Sequence, residues 1–381
     1  MKDRDKLIRT AVRVLCAVIF IAVCVTNFEK VTLFAAQLAV RNAKSFLPEA
    51  VCLIQKEENE EKEETQSVTS EKITETTEKI VQTTQKETAP VFKPKSSITD
   101  TDSDIKTLMK QAKAQKYEKA GALKDRTYIT DGVTDTVGNV RIKNTNKTQI
   151  DASSMLNKKA DLTVDRDKPA VLIFHTHTTE TYQIAEREYY ATDFAPRSES
   201  EQVNMIRVGK AIAEQIEKAG YKVIHDKTIY DTKYNGAYER SRKGAEAILK
   251  KYPSIKIVLD IHRDAIQLKD GTKIRPVATV NGKKAAQIMI ISGCQEEGNG
   301  VTNLPDWKYN LTFALQLQKE LEDNFQGITR PLYFCARSYN MNLTHCSLLV
   351  EMGSDANTLE QAVYSGKCLG VAVGKMLENY E

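Results

Sequence analysis

Residues 171–182 read VLIFHTHTTETY, an apolar run that ends in two histidines one residue apart. An uninterrupted run of apolar and β-branched residues predicts a buried strand, and this one stops where His175 and His177 begin. The chain has only five histidines. Two of them at the end of one strand therefore indicate a functional site, with a pair of turn histidines bonded to backbone as the structural alternative.

Further apolar runs predict more strands, and helical patterns lie between them. The predicted strands cover residues 170–174, 221–225, 255–261, 286–292 and 347–352. The predicted helices cover residues 203–218, 236–251, 309–324 and 358–379. This alternation predicts an α/β fold with a mainly parallel sheet and helices on both faces. Ligands of such folds bind beyond the carboxyl ends of the strands, so we expect the chemistry there.

Polar side chains stand at the ends of three predicted strands. The first strand runs into His175 and His177, the third (IKIVLDIHRDA) carries His262 and Arg263, and the last (SLLVEMG) carries Glu351. Two or three imidazoles with a carboxylate are the donors that a catalytic zinc ion takes. A zinc site is therefore one interpretation of these residues, and a histidine paired with a nearby aspartate is the other.

Composition excludes several classes of protein. The 55 Lys and Arg against 51 Asp and Glu leave a net charge of +4, without the basic excess of a nucleic-acid-binding protein. The seven cysteines form no CxxC pair, so the sequence predicts neither a zinc ribbon nor a thioredoxin-like centre. No GxSxG elbow is present, which disfavours a serine hydrolase.

Residues 1–28 are predicted to be a cytoplasmic start and a transmembrane anchor. Basic residues precede VLCAVIFIAVCVTNF, residues 14–28, which carry no charge. Fifteen helical residues span about 22 Å against a hydrocarbon core of about 30 Å, so either residues 11–12 join the span or the segment is a cleaved signal. We favour a single-pass anchor, with the rest of the chain outside the cytoplasm.

Residues 29–104 are predicted to be a juxtamembrane helix and a disordered linker. The linker is dominated by Glu, Lys, Thr, Ser and Gln, and such a composition has too little apolar surface to fold. Residues 105–381 are predicted to form the catalytic domain, with its core at 168–381.

Five sequence blocks in fixed order resemble the stage II sporulation protein P family. They read FHTHTTETY, EQVNMIRVGKAIAEQIEKAGYKVIHDKTIYD, YNGAYERSR, VLDIHRDA and VEMGSDANTLEQA. That family is similar to the zinc-dependent N-acetylmuramoyl-L-alanine amidases. The resemblance implies a zinc hydrolase of peptidoglycan with a further endopeptidase activity. It also implies septal wall thinning and engulfment in sporulation beside stage II sporulation proteins D and M, from the mother-cell membrane facing the forespore septum.

The resemblance also implies roles for individual residues. His262 corresponds to the later histidine ligand of zinc and Glu351 to the catalytic carboxylate. The first histidine ligand falls on His177, with His175 as the alternative.

The acidic ligand and the supporting residues are less closely specified by the resemblance. Glu180 is near the histidines in sequence and is our first choice, while Glu201 lies where the first helix opens and is the second. We expect Arg263 to stabilise an oxyanion or a substrate carboxylate, and Asp260 or Asp264 to orient an imidazole.

A binding protein is the alternative to an enzyme. A wall-binding or scaffolding subunit with an inactive hydrolase fold should have lost one of the predicted site residues. None is lost from this sequence.

Overall fold

The computed structural model describes residue 98 and residues 102–381. The predicted anchor, residues 1–28, and nearly all of the predicted linker lie outside the described residues. None of the helices in residues 102–381 combines the length and the hydropathy that crossing a membrane requires.

The described chain alternates strands and helices for most of its length. Its helices are α1 (Ser103–Ala114), α2 (Ala152–Leu156), α3 (Met205–Lys218), α4 (Ala237–Lys251), α5 (Trp307–Asn324) and α6 (Leu359–Leu377), followed by a 3₁₀ turn at Glu378–Tyr380. Its strands are β1 (Lys119–Arg126), β2 (Asp135–Val137), β3 (Val140–Asn144), β4 (Pro169–Phe174), β5 (Tyr189–Ala191), β6 (Lys222–His225), β7 (Ile257–Asp264), β8 (Lys273–Val280), β9 (Lys283–Ala286), β10 (Ile288–Gly293), β11 (Leu332–Cys335) and β12 (Cys346–Ser354).

These strands form two mixed sheets, which confirms the α/β class. The larger sheet has the order β2-β3-β11-β10-β12-β7-β4-β6, and the smaller one has the order β5-β1-β8-β9. Strands β6, β4, β7 and β12 run parallel, but β10 runs antiparallel to β12 and β2 antiparallel to β3. The smaller sheet contains two antiparallel pairs and one parallel pair. The pairs β10–β11 and β11–β3 are parallel, so the structure has two mixed sheets where the sequence predicted a single, mainly parallel one.

A tight hairpin joins β8 to β9. Asn281 and Gly282 both have positive φ, 51° and 77°, and Val280 pairs with Lys283 across them. Two central residues with positive φ define the type I′ turn that joins antiparallel strands. The chain turns back here from β8 into β9 and continues directly into β10, which enters the large sheet antiparallel to β12.

Apolar side chains alternate between two cores on either face of the large sheet. In β4, Val171 and Ile173 belong to the main core, where residues of α3, α5 and α6 cover the sheet. Leu172 and Phe174 point to the other face, into a smaller cluster with Ala245 of α4. Because side chains of a strand alternate with period two, an unbroken apolar run is what a strand covered on both faces requires.

Side-chain caps set where two of the helices begin. The side chain of Asn204 accepts a hydrogen bond from the backbone N–H of Ile206 at the start of α3. At α6, the Thr358 hydroxyl accepts from the backbone N–H of Gln361, and the Gln361 side chain accepts from the backbone N–H of Thr358. This reciprocal capping satisfies donors that have no partner within the helix.

Helices α3 and α6 approach closely along a row of glycines. Gly366, Gly370 and Gly374 recur every four residues and so share one face of α6. A Cβ at Gly370 would lie 2.4 Å from the carbonyl oxygen of Ile212 in α3. No side chain fits at this point, and the contact is between the two backbones.

The start of α1 is held by two cations of these helices. Asp102, the residue before the helix, lies 2.8 Å from Nζ of Lys367 in α6 and 2.7 Å from Nη2 of Arg207 in α3. Lys367 and Arg207 are both buried. Their charges are compensated by the residues at which the described domain begins.

Candidate active site

Three adjacent parallel strands bring the predicted site residues together. His175 and His177 follow the end of β4, His262 lies in β7 and Glu351 in β12. Glu351 and His262 are paired in register across the two strands, and Phe174 is paired with Asp260. The carboxyl ends of β4, β7 and β12 thus form one edge, as the sequence predicted for the position of the chemistry.

His177 and His262 form the centre of this cluster. Their ring centroids are 5.3 Å apart and the rings are nearly perpendicular, at 85°. Both side chains are almost entirely buried. Among the described residues, Nδ1 of His177 has no hydrogen-bond partner, and the nearest carboxylate, Asp231 Oδ2, is 4.0 Å away. A buried ring nitrogen without a partner is available to a ligand that the side chains do not supply.

Glu180 lies beside this histidine pair. One carboxylate oxygen is 3.9 Å from Nδ1 of His262 and accepts a hydrogen bond of 3.2 Å from the backbone N–H of Arg263. The other oxygen is 3.9 Å from the Arg197 guanidinium. Glu180 is itself buried, so the cluster contains two imidazoles and a buried carboxylate.

Asp260 fixes the end of β4 against β7. Its carboxylate accepts hydrogen bonds from the backbone N–H of Thr176, at 2.8 Å, and from the Thr176 hydroxyl, at 2.7 Å. The same carboxylate lies 2.8 Å from Nε2 of His262, in an ion-pair contact that is not aligned as a hydrogen bond. Asp260 is one of the two aspartates expected to orient an imidazole, and it contacts His262 directly.

Asp264 is the other aspartate that was expected to orient an imidazole. It forms an ion pair of 2.8 Å with Arg330.

The two central histidines have opposite pKa shifts. Burial, with the charges of His262 and Arg197, lowers the pKa of His177 to about 3, so its imidazole is neutral at pH 7. Burial also acts to lower the pKa of His262, but Asp260, Glu180 and Glu351 outweigh it and raise this pKa to about 9. The carboxylates around His262 therefore favour a positive charge at this position.

Glu351 lies partly buried at the same edge. Burial, followed by the charge of Asp264, raises the pKa of Glu351 to about 8, and nearby His262 opposes the shift. Within the described part of the chain, its Oε2 has no hydrogen-bond partner. A carboxyl group that titrates near neutral pH in a buried cluster suits an acid–base role.

His175 differs from His177 in having both ring nitrogens engaged. Nδ1 lies 2.9 Å from the carbonyl oxygen of Ile261, and Nε2 lies 2.9 Å from Nε2 of His225. Burial lowers the pKa of His175 to about 4. This ring joins β4 to β7 and β6, and we leave it out of the proposed donor set.

The Arg263 side chain is bonded to the backbone of nearby loops. Its guanidinium donates to the carbonyl oxygens of Thr181, at 2.6 Å, and Pro196, at 2.8 Å. In this position Arg263 anchors the segment that carries Glu180, while the oxyanion role expected from the sequence stays a prediction.

Glu201, the second choice for an acidic ligand, is exposed. It forms an ion pair of 3.3 Å with Lys227 on the surface. Of the two candidate acidic ligands, Glu180 is the one that the fold brings to the histidines.

Sequence reasoning missed two groups around the cluster. Asp231 is buried, accepts from the backbone and hydroxyl of Thr179, and is bonded to Arg197. Tyr234 and Tyr238 lie against the histidine rings. Thr179, Asp231, Tyr234 and Tyr238 lie within the blocks that carry the family resemblance, and Arg197 does not. Neither periodicity nor spacing marks any of these residues as part of a site.

The donor types of the cluster fit a zinc ion. Zinc in catalytic sites takes histidine nitrogens and carboxylate oxygens, and His177, His262 and Glu180 supply both. The unpaired Nδ1 of His177 and the preference for positive charge beside His262 agree with a cation site. Across the described residues, no group of three or more His, Cys, Asp or Glu side chains is already gathered to metal-binding distances.

The fold and the cluster define an α/β protein with a candidate hydrolase site at the ends of its parallel strands. A model of the family described as stage II sporulation protein P matches residues 28–373. The chain belongs to this family.

One curated relative is stage II sporulation protein P of Bacillus subtilis strain 168. It is 28% identical over 207 residues, which make up 51% of this chain and 48% of the relative. The match therefore spans about half the length of that relative.

Two solved amidase structures match this chain with low similarity. The N-acetylmuramoyl-L-alanine amidase AmiC2 of Nostoc punctiforme has a TM-score of 0.33 and 13% identity, and the match covers 57% of this chain and 98% of that one. The CwlD amidase from Clostridioides difficile, solved in complex with the GerS lipoprotein, has a TM-score of 0.35 and 12% identity, over 55% of this chain and 99% of that one. We draw no functional conclusion from similarity at this level.

Proposed function

We propose that this protein is a zinc-dependent N-acetylmuramoyl-L-alanine amidase of peptidoglycan. It cuts the amide bond between the lactyl group of the muramoyl sugar and the stem peptide. Family membership and the motif resemblance support the substrate. The observation that carries the proposal is the buried cluster of His177, His262, Glu180 and Glu351, contributed by three separate parts of the chain.

His177, His262 and Glu180 are the residues that would hold the metal. Zinc, when bound, lowers the pKa of a bound water and polarises the scissile carbonyl. The low pKa of His177 keeps its ring neutral and able to donate a lone pair at pH 7. His262 must lose its proton to bind metal, so metal binding releases a proton here.

Glu351 moves the proton in this mechanism. Its pKa of about 8 leaves part of the population ionised at neutral pH, able to accept a proton from water and return it to the leaving amine. Because Glu351 is paired in register with His262, its carboxyl group is fixed beside the proposed metal site. Asp260 and Arg263 position His262 and Glu180 and take no part in proton transfer.

The finer parts of the proposal come from the resemblance. They are endopeptidase cleavage of cross-links, action in septal thinning and engulfment, and cooperation with stage II sporulation proteins D and M. The proposed location is the mother-cell membrane, with the catalytic domain outside the cytoplasm and facing the forespore septum.

Digestion of purified peptidoglycan by the complete chain tests the activity. We expect release of stem peptides with a free L-alanine amino group, loss of release with a zinc chelator and recovery on adding Zn²⁺. New amino groups at cross-links would identify endopeptidase cleavage. If metal-loaded protein binds peptidoglycan but releases no peptide, the scaffolding alternative is correct.

A further inference from the structure

Three tyrosines surround the candidate active site, and the proposed chemistry does not use them. Tyr234 stacks on His177, with ring centroids 4.8 Å apart and 7° between the planes. Tyr238 is edge-on to His177 at 5.7 Å and nearly parallel to His262 at 6.3 Å. Tyr339 stacks on Tyr238 at 5.5 Å. We call Tyr234, Tyr238 and Tyr339 the tyrosine platform.

The platform reaches from the buried histidines to the surface. Tyr234 is 45% exposed, while His177 beneath it is almost entirely buried. Tyr238 and Tyr339 are partly buried. A substrate bond held at the histidines would therefore place one of its flanking groups on these rings.

The loop that carries Tyr339 is held in an unusual conformation. Tyr339 and Asn340 are consecutive non-glycine residues with positive φ, 40° and 57°, which side chains disfavour. The Asn340 amide donates to the carbonyl oxygen of Tyr238, at 3.1 Å, and to the hydroxyl of Ser241, at 3.3 Å. These bonds to α4 fix Tyr339 against Tyr238. Disfavoured backbone that is held by its surroundings is concentrated at ligand-binding sites.

We propose that the tyrosine platform binds a pyranose ring of the glycan strand, on the muramoyl side of the scissile amide. This inference rests on the proposed function and names the part of the substrate that the site recognises.

The chemistry of the platform favours a sugar over the stem peptide. A pyranose has apolar C–H faces edged by hydroxyl groups, and tyrosine offers an apolar ring face with a hydroxyl at its tip. A stem peptide carries carboxylates, which arginine binds strongly. Arg197 lies 5.3 Å above the Tyr234 ring, but it is already bonded to Asp231.

Binding of the complete chain to glycan strands stripped of stem peptides tests the inference without requiring hydrolysis. Tyr339→Gly removes the ring and suits the positive φ. Tyr234→Ala removes the second ring from a different segment. Because an aromatic contact is worth about 0.5–1.5 kcal/mol, we expect each variant to bind about three- to tenfold more weakly. Tyr339→Phe should retain most of the affinity.

Tyr309→Ala is the matched control. Tyr309 is 44% exposed and stacks on a histidine, His345, at 4.2 Å and 7°, but it belongs to α5, outside the platform. This variant should bind stripped glycan like the unchanged protein. Zinc content and thermal unfolding are measured for every variant, so that a lost metal or a damaged fold is recognised.

The outcomes separate this inference from the proposed function. Unchanged glycan binding by both Tyr339→Gly and Tyr234→Ala, or no binding of stripped glycan by the unchanged protein, overturns the inference. Weaker binding of free stem peptide alone would assign the platform to the peptide and also overturns it. If glycan binding depends on the platform but no peptide is released from peptidoglycan, the inference holds and the proposed activity fails.

Discussion

Glu351 and His262 face each other across β12 and β7, and each shifts the pKa of the other. The two residues are paired in register, and each has a buried side-chain atom that lacks a hydrogen-bond partner among the described residues. Nearby His262 opposes the rise in the pKa of Glu351, and Glu351 contributes to the raised pKa of His262. One substitution in this pair therefore changes the electrostatics of the whole cluster.

Glu351→Gln should abolish most turnover and leave the metal and the fold in place. The amide is nearly isosteric but cannot accept and return a proton, and general acid–base catalysis is worth about 10²–10⁴ in rate. Peptide release, zinc content and melting temperature are measured on one purified variant. Near-normal release would refute the catalytic role, and loss of zinc would make Glu351 a ligand.

His262→Ala should lose zinc, because a catalytic ion held by three protein groups cannot be retained tightly by two. Metal analysis of the purified variant measures this directly. His345→Ala is the control, because His345 lies on the surface in an ion pair with Asp161 and should keep full zinc. Full occupancy in His262→Ala would show that the metal is held elsewhere.

The sequence predicted where the site lies better than it predicted which residues form it. An apolar run that stops at a histidine locates a strand end, and this was enough to bring His177, His262 and Glu351 together. It could not separate His175 from His177, because both follow the same strand and only contacts with Ile261 and His225 distinguish them.

At the scale of elements, the glycine row of α6 governs how closely α3 can pack. We expect Gly370→Ala to destabilise the protein by up to about 2 kcal/mol, because overpacking costs about 1–3 kcal/mol and the gain in helix propensity returns about 1 kcal/mol. Chemical denaturation measures the change in the free energy of unfolding.

Gly366→Ala is the control, because Gly366 lies on the same face of α6 as Gly370 but leaves more room for a Cβ. A Cβ there would lie 3.1 Å from the Val208 carbonyl oxygen, against 2.4 Å from the Ile212 oxygen at Gly370. Its smaller clash should be roughly offset by helix propensity, which leaves stability near that of the unchanged protein. Equal effects at the two positions would contradict the backbone contact.

Strong periodicity predicted the central strands of the larger sheet and the helices that cover them, but it missed β2, β3 and β11 at one side of that sheet and most of the smaller sheet. The apolar runs of β4, β6, β7, β10 and β12 and the patterns of α3 to α6 are visible in the sequence. Strand β1 reads KAGALKDR and is mostly exposed, so it carries no such pattern and forms only through its neighbours. The antiparallel pairing of β8 with β9 follows from the Asn281-Gly282 turn, a local signal for a hairpin.

At the scale of the molecule, Asp102 joins the start of α1 to α3 and α6, and this link should depend on pH. Burial acts to raise the pKa of Asp102, but the bond to Lys367 and the charges of Lys367 and Arg207 outweigh it and hold this pKa below its ordinary value. A carboxyl group with a lowered pKa in the folded state stabilises above its unfolded pKa, and this contribution is lost as the pH falls through the folded value.

Asp102→Asn should therefore melt at a lower temperature than the unchanged protein at pH 7, and the difference should shrink below about pH 4. Thermal unfolding at pH 7 and pH 3 checks both statements. Asp104→Asn should have a smaller effect, because Asp104 is more exposed and its ion pair with Arg207 is screened by water. An equal difference at both pH values would exclude a charge effect at Asp102.

The position of β12 has a consequence for the time at which activity begins. It follows the other strands of the described chain in sequence but lies inside the large sheet, between β10 and β7, and it carries Glu351. While the chain is being synthesised, the two halves of this sheet have no strand to join them until residue 346 and those after it are present. Under the proposed function, a chain that has not yet reached β12 lacks Glu351, and we expect no hydrolysis of peptidoglycan from it.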